Sequence, residues 1–364
     1  MTSKERVMAV FSHQIPDRIP MWCGASPDFM AKARSFLNVK NDEEVLRRFH
    51  DDFRRVYSRY AGPDKFNPDC GPINGKTKSI FGIEREGIGY GQAAAHPLAN
   101  AEIEEIHTYA WPSPDWFDVS HIREDALAWK NQYAVLGGEW CPIFHDAIDL
   151  LGMENMLILM YEDPDIVHAV LSHITDFYYE LSAREFEAAQ GAIDIFFIGN
   201  DLGSQTGPLL GEELFRKFLY PYLKRLADLG REYGLPTMMH CCGSYAQLMP
   251  ALIESGISAV QSLQPITREM QPANLKKRFG ERLILNGCID SISVLINGSI
   301  EDTVRVTRET IKCMKPGGGY ILSPSHDYLL EETPVENVLA MYDTCLEDGW
   351  YTASESEQNI RSNI

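Results

Sequence analysis

Several absences narrow the field before any motif is considered. No apolar run approaches the roughly 20 residues that a membrane span requires. The opening stretch MTSKERVMAVFSHQIPDRIP lacks the apolar core of a signal peptide and is spaced like an amphipathic helix, so a cytoplasmic location is expected. Basic residues are scarce, 33 against 52 acidic ones, which gives a net charge of −19. Such a chain repels phosphate backbones and anionic lipid, and neither nucleic acid nor a membrane surface is an expected partner. Low-complexity tracts, linkers and fixed-period repeats are missing, so one domain over residues 1–364 is expected. Eight cysteines are present, at 23, 70, 141, 241, 242, 288, 313 and 345, but none of the tight spacings of an iron–sulfur cluster. Without an export signal, burial or metal ligation is their expected use rather than disulfides.

What is present is an alternation of short apolar strands with helical stretches. Eight segments read as strands: Arg18–Gly24, Asp52–Arg59, Gln132–Gly138, Asp194–Asn200, Pro236–Cys241, Ser258–Leu263, Arg282–Cys288 and Gly319–Ser323. Several are apolar almost throughout, as strands covered on both faces should be. Helices between them include Gly211–Tyr233, which Pro221 must kink or divide, and Ser299–Met314, which stops before Lys315-Pro-Gly-Gly-Gly. Eight strand–helix alternations predict an α/β fold of the (β/α)8 TIM-barrel type. Phe81–Pro97, with its GIGYG core, reads as a β-hairpin inserted between the second and third strands.

In such barrels the chemistry sits at the carboxyl ends of the strands. The residues just past the apolar runs are therefore the candidates: Trp22 and Cys23, Glu139 and Trp140, Asn200 and Asp201, His240 to Cys242, Gln264, Cys288 and Asp290, and Ser325 to Asp327. The sharpest local signal is Met239-His-Cys-Cys-Gly243. In extended backbone His240 and Cys242 share one side while Cys241 faces the core. An imidazole nitrogen and a thiolate together suit zinc, whose catalytic sites use three protein ligands and leave one position open. The third ligand has to come from a neighbouring strand end, either His326 or Cys288. Asp201, just past the strand IFFI, has no folding reason to be there, and Glu139 after YAVLGG follows the same logic; both are candidate catalytic groups. Trp22, Asn200, Gln264 and Asp290 are candidate substrate contacts. The glycines of Gly87–Gly91 and Gly317–Gly319 lack the context of a phosphate loop and read as turn and helix-stop residues.

Several of these runs resemble the uroporphyrinogen decarboxylase superfamily. HCCGSYAQLMPALIESGISAVQSLQP (His240–Pro265) is similar to its strand-end H-x-C-G block, and Gly199–Leu226 to its "DDLG…PY" segment. Gly318–Thr344, Gly152–Asp165 and Asp52–Tyr60 fit as well. The true decarboxylase carries an arginine-bearing "RQAGR" element after its first strand, which holds the porphyrinogen carboxylates. Met21–Asp28 (MWCGASPD) has no arginine there, which argues against a polyanionic porphyrinogen. The resemblance is closer to the cobamide-dependent methyltransferase branch, where H-x-C and a later cysteine in "APGCG" hold zinc. His240 and Cys242 match the first two, whereas Ser323-Pro-Ser-His326 stands at the third. The resemblance implies a zinc-dependent methyltransferase that moves a methyl group between a methylcobamide on a partner corrinoid protein and a thiol or similar small acceptor. It implies a homodimer as well. A metal-free decarboxylase or lyase acting on a small acid, and a non-catalytic corrinoid- or metal-binding partner, are the alternatives.

Overall fold

The computed structural model describes residues 1–66, 75–87, 91–352 and 355. Its centre is a curled sheet of seven parallel strands that pair in chain order: β1 Phe53–Arg55, β2 Ala134–Gly137, β3 Ile195–Gly199, β4 Thr237–His240, β5 Ile257–Leu263, β6 Ile284–Ile289 and β7 Tyr320–Pro324. Helices cross between successive strands, the arrangement that parallel pairing demands. Each of these strands lies within a predicted segment or overlaps it with a shift of one residue, except that β1 ends at Arg55 rather than Arg59.

The first predicted strand, Arg18–Gly24, does not form a regular ladder. It nevertheless lies between β7 and β1: Leu322 donates to Pro20 O, Trp22 to Leu322 O, and Asp52 to Met21 O. The reason for its irregularity is local. Pro20 has no N–H to give, and the Met21 N–H goes to the Asp52 carboxylate at 2.8 Å instead of to a neighbouring carbonyl. An irregular eighth stave thus joins the two edges of the sheet.

Alternation along the strands separates two cores. Phe53, Ala134, Leu136, Ile195, Phe197, Met238, Ala259, Ile284 and Ile321 point inward and pack with Trp22 and with Val7 and Val10 of the first helix. Their neighbours Val135, Phe196, Ile198, Met239, Val260, Leu285 and Leu322 point outward against the helices. Following the inward series upward leads to Arg55, Asp201, His240, Gln261 and Asn286, so the period of two delivers polar groups to the carboxyl end.

The inserted hairpin is present, with Glu84–Gly87 antiparallel to Gln92–Ala93, and Gly75–Lys78 adds a third strand to it. Its turn, residues 88–90, lies outside the described residues, as does Cys70. Pro221 falls within an unbroken helical run, Glu212–Glu232, and the adjustment lies just before it as a π-helical turn at Phe215–Leu219. Such a turn absorbs the hydrogen bond that proline cannot make. Among the described residues no helix is long and apolar enough to cross a membrane.

Asp52 is the buried pin at the base of the ring. Its carboxylate, fully excluded from solvent, accepts from Arg6 at 2.8 Å, from Arg18 at 2.9 and 3.0 Å, and from the Met21 main chain. Removing one partner of a buried ion network strands the others. We expect Asp52→Ala to lower stability by roughly 3–5 kcal/mol in urea denaturation; a loss below about 1 kcal/mol would show that the irregular stave does not depend on it.

Candidate metal centre

Two strand-end loops build the site. β4 runs through His240 into Cys241-Cys242-Gly243, and β3 runs through Gly199 into Asn200-Asp201. The loops touch main chain to main chain: Ser204 and Ser244 form an antiparallel bridge, and a Cβ on Gly243 would lie 2.3 Å from the carbonyl of Gly203. Gly243 also has φ +83°, a conformation that side-chain-bearing residues avoid. Only glycine fits on either count.

This contact brings three ligand atoms together. His240 Nε2 lies 3.2 Å from Asp201 Oδ1 and 3.4 Å from Cys242 Sγ. Asp201, His240 and Cys242 are the only described set of three metal-binding side chains whose donor atoms all fall within 4.8 Å. A tetrahedral zinc about 2.0–2.1 Å from nitrogen and oxygen and about 2.3 Å from sulfur sets its ligands roughly 3.3–3.6 Å apart, close to the separations here. The donors behind them also fit. His240 Nδ1 donates to Gln261 Oε1 at 2.5 Å, with Asp327 Oδ1 3.8 Å away, which leaves Nε2 as the ligand atom and fixes the ring. The Cys242 main-chain N–H donates to Asp201 Oδ1 at 2.7 Å, and Ser262 Oγ lies 3.6 Å from Cys242 Sγ.

The electrostatics favour a positive charge at that corner. Burial alone would lower the His240 pKa, yet the Cys242 sulfur, Asp327 and Asp201 together hold it well above the ordinary histidine value. Burial would raise Asp201, yet its bond to His240, the charges of His240 and His145 and the Cys242 N–H hold it far below the usual carboxylate range. The groups are arranged to share one cation, which a proton on Nε2 or a divalent metal can supply.

Of the two residues considered for the third ligand, neither joins this set. Cys288 leaves the inward series because Gly287 and Cys288 have φ +126° and +73°, which reverses the alternation and sends the thiol into the outer core. Burial then pushes that thiol far up. His326 turns its Nδ1 back to accept the Tyr328 main-chain N–H at 3.2 Å, and its neighbour Asp327 is the residue that approaches His240. Asp201, read as a catalytic carboxylate, stands in the third position instead.

The remaining candidates occupy varied places. Glu139 accepts from Ser58 Oγ at 2.6 Å. Trp22 is buried at the barrel mouth with its indole N–H unpartnered. Asn200 spends its amide on Phe144 N and Cys141 O, and Asp290 caps the turn Ser291–Ile296 through Ser293. Gln264 accepts from Gly243 N at 3.0 Å. Cys241 is fully buried, with its sulfur accepting from Leu202 N. The structure adds Gln261, Ser262 and His145, whose Nε2 lies 3.9 Å from Asp201 Oδ2, and brings in Asp327 from the strand-end candidates. Gln261 had a legible signal, a polar residue inside the apolar strand ISAVQSL. Ser262 had none, because its φ of +73° at a strand irregularity turns it toward Cys242.

The uroporphyrinogen decarboxylase family model matches residues 121–347. The methylated-thiol–coenzyme M methyltransferase of Methanosarcina mazei is 29% identical over 199 residues, 54% of this chain and 49% of that protein. The methylcobamide:CoM methyltransferase MtbA of the same organism is 26% identical over 152 residues, 42% of each chain. The chain thus spans about half the length of these curated relatives. Uroporphyrinogen decarboxylases match at 22–27% identity. A solved methyltransferase structure from Methanosarcina mazei superposes with a TM-score of 0.67 over 95% of this chain and 99% of that one, at 17% identity, and shares the fold.

If the Gly203–Gly243 contact sets the ligand spacing, Gly243→Ala should weaken cobalt(II) binding, read from the thiolate-to-cobalt absorption, by roughly 10-fold or more. Unchanged cobalt affinity in a folded variant would separate the contact from the site.

Proposed function

The chain belongs to the uroporphyrinogen decarboxylase family, and on that premise we propose that it is a zinc-dependent methyltransferase that moves a methyl group between a methylcobamide and a thiol. The observation that carries this reading is the convergence of nitrogen, sulfur and oxygen donors from His240, Cys242 and Asp201 at the ends of neighbouring strands. Relatives whose names specify methyl transfer to coenzyme M, one of them from methylcobamide, support it. The missing arginines after the first strand count against a porphyrinogen.

His240, Cys242 and Asp201 would hold the metal. When bound, zinc supplies a Lewis acid that lowers the pKa of a thiol placed at its open position. The protein's own part is to fix and shield. Gln261 orients His240, the Cys242 N–H and His145 orient Asp201, and Ser262 faces the Cys242 sulfur. Trp140 lies against His240 with ring centroids 5.2 Å apart, which keeps water off that side of the site. Glu139, anchored by Ser58, is placed at the rim to orient substrate or carry a proton. The methyl donor, on a separate corrinoid protein, would reach the thiol across the open mouth.

Purified protein should contain about one zinc per chain, and Cys242→Ala and His240→Ala should lose it. Gln261→Ala should cost roughly 10- to 100-fold in zinc affinity. Methylcobalamin should be demethylated in the presence of a thiol, read from its visible spectrum, and not by Cys242→Ala. Metal-free protein that still releases carbon dioxide from a small acid would replace this reading with the decarboxylase. Zinc and cobalamin binding without methyl loss to any thiol would leave a binding protein.

A further inference from the structure

One cation at the barrel mouth is left over by the fold. Arg55 follows Phe53 by two positions and so shares its inward side. The guanidinium is packed among aromatic faces, 4.7 Å from the Tyr57 ring centroid, 5.0 Å from Phe197 and 5.6 Å from Trp140. Trp140 in turn covers His240. The side chain makes one described hydrogen bond, from Nη2 to Gly138 O at 3.3 Å. Its Nε is buried and has no partner among the described residues.

The nearby acids act on it at longer range but form no ion pair with it among the described residues, and their oxygens take other hydrogen bonds. Glu139 accepts from Ser58 Oγ, and Glu185 accepts from Ser58 N at 3.2 Å and Gly138 N at 2.9 Å. Burial and the adjacent Glu139 push the Glu185 carboxyl well up, against the opposing pull of Arg55. By contrast Arg54, the preceding residue, is fully paired with Glu43 at 2.6 Å. A second buried donor without an acceptor, Trp22 Nε1, belongs to a ring 5.1 Å from the same Phe197. Gly24 leaves that nitrogen open, since a Cβ there would stand 3.3 Å from it.

Two buried N–H donors around one aromatic ring, one of them on a guanidinium, cost free energy unless an acceptor arrives. We propose that Arg55, with Trp22, binds an anionic group of the substrate, a carboxylate or sulfonate, whose other end reaches the His240–Cys242–Asp201 centre. Stacking on aromatic faces leaves the edge of the guanidinium free for the fork that such oxyanions match. In a chain of net charge −19 an inward arginine with no ion pair among the described residues is a selective feature, because the surrounding field repels any anion it does not capture. The inference rests on the methyl-transfer reading for the chemistry of the probe.

The test uses two thiols of equal length, 3-mercaptopropionate and 3-mercapto-1-propanol, titrated calorimetrically into the zinc-loaded protein. The anionic thiol should bind roughly 10- to 100-fold more tightly than the neutral one. Arg55→Gln should collapse that ratio toward one, Arg55→Lys should keep part of it, and thermal melts report whether each variant is folded. Should Arg55→Gln fail to fold, Trp22→Phe removes the other donor and should lower the same ratio. Equal affinities in the unaltered protein, or a ratio untouched in the folded variants, overturn the proposal. Methyl loss from methylcobalamin is read separately: its absence with every thiol, beside an intact ratio, sinks the methyl-transfer reading alone. Failure of both thiols to bind counts against both.

Discussion

The contact of Gly203 with Gly243 is the constraint on which the site depends. β3 and β4 are neighbours in the sheet, and their registers set Gly199 beside His240. Beyond that pair the chains would diverge into separate loops. They do not, because two residues without Cβ atoms let the backbones meet, and the bridge between Ser204 and Ser244 fastens them. Asp201 then hangs from one loop and Cys242 from the other, with the Cys242 N–H donating to the carboxylate it faces. Three donors within 4.8 Å are thus a consequence of backbone packing rather than of any side chain reaching across the barrel.

Around that point the barrel mouth is unusually demanding. Cys242, Asp201 and Asp327 surround one imidazole, and the whole chain is acidic. Like charges gathered in a partly buried site cost energy unless a cation is shared among them. Arg55, which also lies against Trp140, has the opposite problem, a cation with no ion pair among the described residues. The two halves do not neutralise one another directly. They fit a bound pair of charges brought from outside, a metal ion at one end and an oxyanion at the other.

The sequence made the frame legible because strands covered on both faces are mostly apolar, and β2 to β7 are, apart from a few polar residues such as Gln261 and Asn286. Asp201 was legible for the converse reason, a carboxylate at the end of an apolar run where folding does not call for one. What could not be read was backbone handedness. Cys288 counts as inward by alternation from Ile284, but positive φ at two successive residues turns it out, and only Gly287 gave a hint. Ser262 turns in by the same device. His326 and Asp327 are adjacent after β7, and which of them faces His240 depends on a bend that no periodicity encodes. The irregular first stave was predicted as a strand from its apolar pattern; the competing claim of the Asp52 carboxylate on the Met21 N–H was not visible.

The identity of the third donor matters for the charge of the site. An imidazole from His326 beside His240 and Cys242 would give a ligand set of charge −1 and leave a divalent ion with excess positive charge. Asp201 in that place would make the set −2, the same total as one histidine with two thiolates. A divalent ion held by a set of −2 is neutral, so negative charge on a substrate sulfur beside it is not drawn off to balance the metal. Nucleophilicity at a thiol sulfur falls as its pKa falls, and a ligand set of −2 would moderate how far a bound metal lowers it. On that reading the departure from the two-cysteine pattern would conserve charge while exchanging a soft donor for a hard one. With a carboxylate as the third group, the Cys242 N–H and His145 would be the contacts that hold Asp201 in place.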